Sequence, residues 1–165
     1  GLPTSLILAI IHTESSFNPL ARSHIPAFGL MQIVPSSAGK DVTQFLNGKV
    51  ELLPPSVLLQ PERNIEAGSV YLHLLFNRYF KDVNEYKSKL YMSVAAYNTG
   101  PGNVARALTN TKSLTKARAA ANQKTSDEIY YQLLENLPYQ ETVKYLEKVL
   151  KRTNYYQTIL LKEAT

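Results

Sequence analysis

The residue whose type and spacing most clearly suggest chemistry is Glu14. It follows Ile7, Ile10 and Ile11 by seven, four and three positions, so its side chain leaves a predicted helix from the apolar face. A carboxyl group there is either paired with a base or held protonated for acid chemistry, because burial raises its pKa. No lysine or arginine lies near it on that helix. Periodicity alone favours a paired carboxylate, but the absence of a nearby base and the Gly-, Pro- and Ser-rich loop that follows the helix favour a general acid, with a buried ion pair to another part of the chain as the alternative.

Other kinds of chemistry are excluded by what the chain lacks. It has no cysteine, which removes disulfides, thiolate metal sites and cysteine nucleophiles. The three histidines, His12, His24 and His73, show no metal-binding spacing, and no phosphate-binding loop, dinucleotide fingerprint or nucleophile elbow is present. We therefore expect neither a metal nor a cofactor.

The elements that must position Glu14 are predicted to be almost entirely helical. Apolar residues recur at helical spacing in six to eight segments, and Gly68 lies inside the strongest of them, which predicts a close neighbour at that position. A very small β element is expected at most near Gly29 to Val34, and Thr125 with Glu128 forms a capping-box pattern. The predicted helices cover residues 3–17, 35–46, 65–79, 90–99, 104–108, 125–134 and 139–156.

Length and composition predict one compact domain over residues 1–165, because 165 residues with 44% hydrophobic content suffice for a single core. No apolar run approaches the roughly 20 residues that cross a bilayer, so no transmembrane helix is expected. No secretory signal pattern opens the chain. An exported protein would therefore be present already trimmed, or as one domain excised from a longer precursor.

The positive charge of the chain is concentrated in one segment. The net charge is +5, and residues 86–126 contain seven bases and no acid. Such a segment suits a polyanionic or carboxylate-bearing partner, while a solvated helix face explains the charge equally well. The seven bases are Lys87, Lys89, Arg106, Lys112, Lys116, Arg118 and Lys124.

Several short motifs, taken in order along the chain, resemble the lytic transglycosylase domain, a mainly α domain with a goose-type lysozyme fold. Within that family they most resemble the membrane-bound lytic murein transglycosylase C type. The likeness extends over nearly the whole chain. The motifs are Thr13-Glu14-Ser15, Ser23, Gly29-Leu30-Met31-Gln32, Ala96-Tyr97-Asn98-Thr99-Gly100, and Glu141-Thr142 with Tyr145.

The resemblance implies cleavage of the β-1,4 bond between N-acetylmuramic acid and N-acetylglucosamine in peptidoglycan, without water, to leave a 1,6-anhydromuramoyl end. Glu14 then acts first as general acid and afterwards as general base. Most glycosidases use two carboxylates, yet the next acid after Glu14 is Asp41. The missing local carboxylate fits a mechanism in which the acetamido oxygen of the substrate stabilises the anomeric carbon.

The resemblance also implies substrate-binding roles, and each has a structural alternative. Ser23 is expected to contact an N-acetyl group, or to bond its own turn. Gln32 is expected to line the sugar groove, or to be a strand-edge amide, and Met31 beside it is either a substrate contact or a core residue. Ser15 is expected to bond the helix backbone.

The later motifs add three further site residues. Tyr97 is implied to place its phenol near the carboxyl group of Glu14, with a core position as the alternative. Asn98 is implied to hold the local turn and contact substrate, or simply to end the helix. Tyr145 is implied to face the catalytic acid, with core packing as the alternative.

The expected partner is the peptidoglycan glycan strand. We expect the chain to act as a monomer in the bacterial periplasm, with a lipid anchor to the outer membrane on a missing N-terminal region as an open alternative. A nucleic-acid partner is not expected, because the bases lack interleaved aromatic residues and a binding motif. Two other functions stay open. One is a lysozyme-type hydrolase that uses Glu14 with water, and the other is a non-catalytic peptidoglycan-binding module.

Overall fold

The computed structural model describes residues 1–165 and contains nine α-helices, one π-helical turn and no extended sheet. Its β structure is limited to isolated bridges from Phe28 to Arg22 and to Ile33. The prediction of a mainly α fold with a very small β element is therefore confirmed. The helices are α1 (Thr4–Ser15), α2 (Ala38–Asn47), α3 (Pro55–Leu58), α4 (Pro61–Leu74), α5 (Tyr86–Thr99), α6 (Pro101–Thr109), α7 (Leu114–Ala121), α8 (Ser126–Asn136) and α9 (Gln140–Glu163), with the π-helical turn at Leu75–Tyr79.

The chain forms two compact units, and each contains fully buried apolar side chains. The first unit consists of Gly1–Tyr71 and Val149–Thr165, and the second of Leu72–Lys148. The largest fully buried side chains of the first unit are Leu6, Ile10, Met31, Ile33 and Leu58. Those of the second unit include Phe80, Met92, Ile129 and Leu133.

Helix α1 ends two residues earlier than predicted, at Ser15. Ser16 and Phe17 follow it with positive φ angles of 50° and 63°, and the Ser16 N–H donates to the carbonyl oxygen of His12 at 3.1 Å. A left-handed conformation costs an ordinary residue about 1–2 kcal/mol. No glycine indicates this helix end, and because Phe17 continues the apolar spacing, the sequence predicted a helix end at residue 17 instead of Ser15.

Short helices account for most of the other differences from the predicted elements. Helix α3 begins at Pro55, because a proline is well suited to the first turn of a helix, and α7 is capped by the Ser113 hydroxyl, which accepts from the Lys116 N–H at 3.2 Å. The capping box of Thr125 and Glu128 is present as predicted. Helix α9 continues seven residues beyond the predicted end at Tyr156, to Glu163.

Candidate functional site

Glu14 lies in the last turn of α1, half-buried, between two residues that are each anchored to another segment. On one side, Ser15 Oγ donates to the carbonyl oxygen of Ile11 at 3.0 Å and to that of Leu30 at 2.7 Å. The expectation that Ser15 bonds the helix backbone is confirmed, and the second bond joins the end of α1 to the loop that contains Met31 and Gln32. The first unit thus brings this loop and the Glu14 turn together.

On the other side of Glu14, Thr13 is held by the C-terminal half of α9. Arg152 Nη1 donates to Thr13 Oγ1 at 3.1 Å, and that hydroxyl donates to the carbonyl oxygen of Ala9 at 2.7 Å. Sequence analysis did not identify Arg152, because its partner is 139 residues away in the chain. The turn that carries Glu14 is consequently fixed on both sides.

His12 braces the opposite face of the same turn, since it is two positions from Glu14 on the helix. Its Nδ1 lies 3.0 Å from the Tyr156 hydroxyl, and its ring centroid lies 5.6 Å from that of Phe17 and 6.0 Å from that of Tyr156. Burial lowers the pKa of His12 below its usual value of 6.5, and the positive charge of Arg152 lowers this pKa further. The neutral imidazole is therefore favoured in the folded chain.

The loop between Phe28 and Ile33 is fastened to α4 by a single buried amide. Asn64, 1% exposed, donates from Nδ2 to the carbonyl oxygens of Phe28 and Leu58 and accepts from the Met31 N–H, each at 2.7 Å. Gly29 passes so close that a Cβ atom there would lie 2.3 Å from Asn64 Nδ2. The close packing depends on glycine at this position.

Met31 and Gly68 form a second close contact between this loop and α4. A Cβ atom at Gly68 would lie 2.4 Å from Met31 Sδ and 2.7 Å from Met31 Cβ, so the predicted close neighbour of Gly68 is confirmed. Met31 is fully buried. In this conformation Met31 offers no surface to a ligand, so the core position is the alternative that the structure shows.

Gln32 is half-buried, and its backbone has a positive φ of 51°. Its Nε2 donates to the carbonyl oxygens of Ala21 at 3.1 Å and Gly29 at 2.9 Å. Both bonds use the amide nitrogen and neither uses the amide oxygen, which is an acceptor for a sugar hydroxyl. The side chain is thereby held in one orientation by its own loop.

Ser23 lies on the exposed part of the same loop region. Its hydroxyl donates to the carbonyl oxygen of Ile25, and its backbone N–H donates to that of Ala27 at 3.2 Å. The hydroxyl therefore bonds its own turn, as the structural alternative proposed. A contact between Ser23 and an N-acetyl group stays a prediction.

The second unit contains the three remaining predicted site residues. Tyr97 and Tyr145 are both largely buried, at 9% and 6% exposure, and Asn98 is half-buried at the end of α5. Thr142 Oγ1 donates to Asn98 Oδ1 at 2.8 Å, which ties α5 to the start of α9, the helix that carries Tyr145. Asn98 thus holds together two helices that carry predicted site residues. Substrate contacts of Tyr97, Asn98 and Tyr145 stay predictions.

The bases of the second unit differ in what they do for the fold. Arg118 is only 18% exposed, and its guanidinium donates to the carbonyl oxygen of Tyr79 and to Thr115 Oγ1, both at 3.3 Å. Lys112 and Lys116 are exposed. Lys112 and Lys116 are therefore available as charge for a partner, as are the exposed Lys87, Arg106 and Lys124, whereas Arg118 fastens α7 to the end of the π-helical turn.

Other features of the structure do not coincide with the predicted residues. No group of three or more His, Asp or Glu side chains is arranged to hold a metal ion. A cavity of about 270 Å³ in the first unit is lined by α2, α3, α4 and the segment before α3. Its lining residues are Val42, Thr43, Leu46, Asn47, Leu53, Val57, Arg63, Glu66 and Ala67.

Comparison with known proteins gives consistent results. Residues 1–120 match the family described as the Transglycosylase SLT domain. Among curated relatives, the protein named membrane-bound lytic murein transglycosylase C from Pectobacterium atrosepticum is 40% identical over 157 residues, which is 95% of this chain and 43% of that protein. The protein of the same name from Photorhabdus laumondii is 42% identical over 149 residues, 90% of this chain and 41% of its own length.

Solved structures agree on the fold. The lytic transglycosylase Slt from Pseudomonas aeruginosa superposes with a TM-score of 0.71 at 30% identity, covering 97% of this chain and 22% of that chain. The 70-kDa soluble lytic transglycosylase from Escherichia coli superposes with a TM-score of 0.69 at 28% identity, over 97% of this chain and 22% of that chain. A structure described as the complex of the 70-kDa soluble lytic transglycosylase with bulgecin A superposes with a TM-score of 0.69 at 28% identity, over 96% of this chain and 22% of that chain. The chain thus spans less than half the length of the curated relatives it matches, and less than a quarter of these structures.

Proposed function

The chain belongs to the Transglycosylase SLT domain family, and we propose that it is a lytic transglycosylase that cleaves the β-1,4 bond between N-acetylmuramic acid and N-acetylglucosamine in peptidoglycan. We assign residues 1–165 to its catalytic domain and Glu14 to the reaction as its only acid-base residue. The observation that carries this proposal is the placement of Glu14. A half-buried carboxyl group lies in a turn whose flanking residues, Thr13 and Ser15, are both anchored to other segments.

The proposed first step is protonation of the leaving group. The carboxyl group of Glu14 donates its proton to the glycosidic oxygen while the bond from that oxygen to C1 of the muramoyl residue breaks. The bonding electrons stay on the oxygen, which leaves as the 4-hydroxyl of N-acetylglucosamine. The substrate acetamido oxygen shares the positive charge that develops at C1.

The second step closes the anhydro ring. The 6-hydroxyl oxygen of the muramoyl residue attacks C1, and the Glu14 carboxylate takes the proton of that hydroxyl, which regenerates the acid. Attack within one molecule has a high effective concentration, so the protein must exclude water and hold the sugar in place. Rigid anchoring of the Glu14 turn suits a residue that must act as acid and then as base from one position.

Substrate contacts are assigned to Ser23, Gln32, Tyr97, Asn98 and Tyr145, as the family likeness implies. For Gln32 the structure supports the assignment, because its amide nitrogen is fixed by two carbonyl groups and its amide oxygen is left to accept from a sugar hydroxyl. Met31 is omitted because it is fully buried.

We also propose that the chain acts in the bacterial cell envelope, where peptidoglycan lies. The relatives from Pectobacterium atrosepticum and Photorhabdus laumondii are named membrane-bound. In this chain, none of the helices combines the length and apolar character needed to cross a membrane.

The experiment that tests the proposal combines Glu14→Gln with mass analysis of the products. Purified peptidoglycan is digested with the parent, with Glu14→Gln and with Glu62→Gln, which removes an exposed carboxyl group from the first turn of α4. We expect anhydro ends from the parent and the control, and a loss of at least about 10²-fold in Glu14→Gln with unchanged thermal unfolding.

The same products separate the competing functions. Reducing ends, which are one water heavier than anhydro ends, indicate a lysozyme-type hydrolase. Binding to peptidoglycan with no soluble product indicates a binding module. Lysis at the parent rate by folded Glu14→Gln protein excludes Glu14 as the acid.

A further inference from the structure

The amide of Asn64 makes three hydrogen bonds, which use both of its donor hydrogens and its oxygen. Both Nδ2 hydrogens are donated to carbonyl oxygens, those of Phe28 and Leu58, and Oδ1 accepts from the Met31 N–H, each at 2.7 Å. Aspartate has the same shape but no amide hydrogens to donate, and leucine has no polar atoms. No other side chain of this size supplies the same two donors and one acceptor.

Two of the groups that Asn64 bonds lie at the ends of the turn at residues 28–31, which directly precedes Gln32. Phe28 and Met31 lie at the two ends of the Gly29-Leu30 step, and Gln32 follows Met31 directly. Gln32 has a φ of 51°, a backbone conformation that residues other than glycine rarely adopt. Such a conformation persists where the surroundings fix the residues around it, and Asn64 fixes the preceding N–H group.

We propose that Asn64 is a positioning residue for Gln32, holding the turn at residues 28–31 so that the Gln32 amide meets the sugar hydroxyls of the glycan strand. The inference rests on the proposed function, because it requires Gln32 to contact the substrate. Asn64 is 1% exposed and has no direct access to a ligand. Its effect on catalysis must therefore pass through the turn.

A double-mutant cycle tests the inference on soluble peptidoglycan strands, with KM and kcat measured for the parent, Gln32→Ala, Asn64→Asp and the double variant. Contacts made equally in the ground and transition states raise KM with little change in kcat when they are lost. We expect each single variant to raise KM by about tenfold or more. We expect the double variant to match Gln32→Ala within about twofold, because residues that act through one contact are not additive.

Asn122→Asp in the second unit is a control for the loss of bridging amide hydrogens at an exposed site. Asn122 Nδ2 donates to the Asp82 carbonyl oxygen at 2.7 Å, and Oδ1 accepts from the Asn84 N–H at 2.8 Å, so it too joins an N–H to a carbonyl group. The segment it holds carries none of the predicted site residues. We expect Asn122→Asp to leave KM within about twofold of the parent.

Three results overturn the inference. The first is that the increases in KM caused by Asn64→Asp and Gln32→Ala multiply in the double variant. The second is that Asn122→Asp raises KM as much as Asn64→Asp, and the third is that Gln32→Ala leaves KM unchanged. In the last case anhydro products from the parent leave the proposed function standing, whereas a parent that yields none contradicts that function itself. If Asn64→Asp does not fold, Asn64→Ser replaces it in the cycle, because its hydroxyl keeps one bond and buries no charge.

Discussion

Substitution of Gly29 by alanine separates two costs that the structure places at one residue. The first cost is conformational, since Gly29 has a φ of 79°, and a left-handed conformation costs an alanine about 1–2 kcal/mol. The second is steric, since the added Cβ would lie 2.3 Å from Asn64 Nδ2 and 2.4 Å from the Leu58 carbonyl oxygen. A backbone oxygen cannot move aside as the end of a flexible side chain can, so overpacking adds about 1–3 kcal/mol.

Gly48→Ala is the matched control for this prediction. Gly48 has nearly the same φ, 72°, at the end of α2, but a Cβ atom there would have no neighbour within 4 Å. The control therefore carries only the conformational cost of about 1–2 kcal/mol. The free energy of unfolding of Gly29→Ala should accordingly fall below that of Gly48→Ala by the steric cost, about 1–3 kcal/mol.

Urea unfolding of the parent and both variants measures these differences. A lower midpoint with an unchanged slope reports a loss of native stability. In a chain of this size each kcal/mol corresponds to about 2–4 °C in Tm, so a thermal scan gives an independent check. If Gly29→Ala is no less stable than Gly48→Ala, the contact of Gly29 with Asn64 and Leu58 does not constrain the loop, and the reasoning is wrong.

Two further predictions concern charge. The lowered pKa of His12 means that the unfolded chain binds this proton more readily, so the stability it contributes is complete above about pH 6.5 and is lost as the pH falls toward its folded pKa. His12→Gln, which keeps an acceptor for Tyr156, should flatten this part of the pH dependence of urea midpoints, and an unchanged pH dependence would contradict the lowered pKa of the half-buried imidazole. Lys112→Glu with Lys116→Glu should weaken binding to intact sacculi, and added salt should weaken binding of the parent. Arg118→Glu should lower Tm instead, because Arg118 holds α7 in place. If sacculus binding changes neither with the lysine reversal nor with added salt, these lysines serve only to keep the surface soluble.

The helical architecture could be predicted from the sequence because apolar spacing reports directly which helix face is buried. The strongest stripe led to α4, and Gly68 within it predicted the close approach that Met31 makes. Helix ends with standard signals were also predicted, such as the capping box at Thr125. The end of α1 was misplaced because Ser16 and Phe17 adopt left-handed angles with no glycine to indicate it.

The candidate acid was predictable for the same reason, since Glu14 interrupts an apolar stripe. The residues that hold the Glu14 turn in place could not be predicted from the sequence. Arg152 bonds Thr13, and Tyr156 bonds His12. The partners in these pairs lie 139 and 144 positions apart in the chain, so no local sequence pattern connects them. Burial follows a periodic pattern, whereas the choice of a hydrogen-bond partner depends on which segments the fold brings together.

The role of Asn64 also could not be predicted from the sequence, because its hydrogen-bond partners are set by the fold. As a lone amide in a helix, between Arg63 and Ile65, it has no feature that distinguishes it from a solvated residue. Only the fold shows that all three of its bonds go to the turn before Gln32 and to Leu58. A buried amide left without these partners would cost more than it contributes, so its satisfaction makes one loop conformation strongly preferred. The residues that contact a substrate can be recognised by type, but the residues that hold those contacts in place are defined by partners distant in the chain.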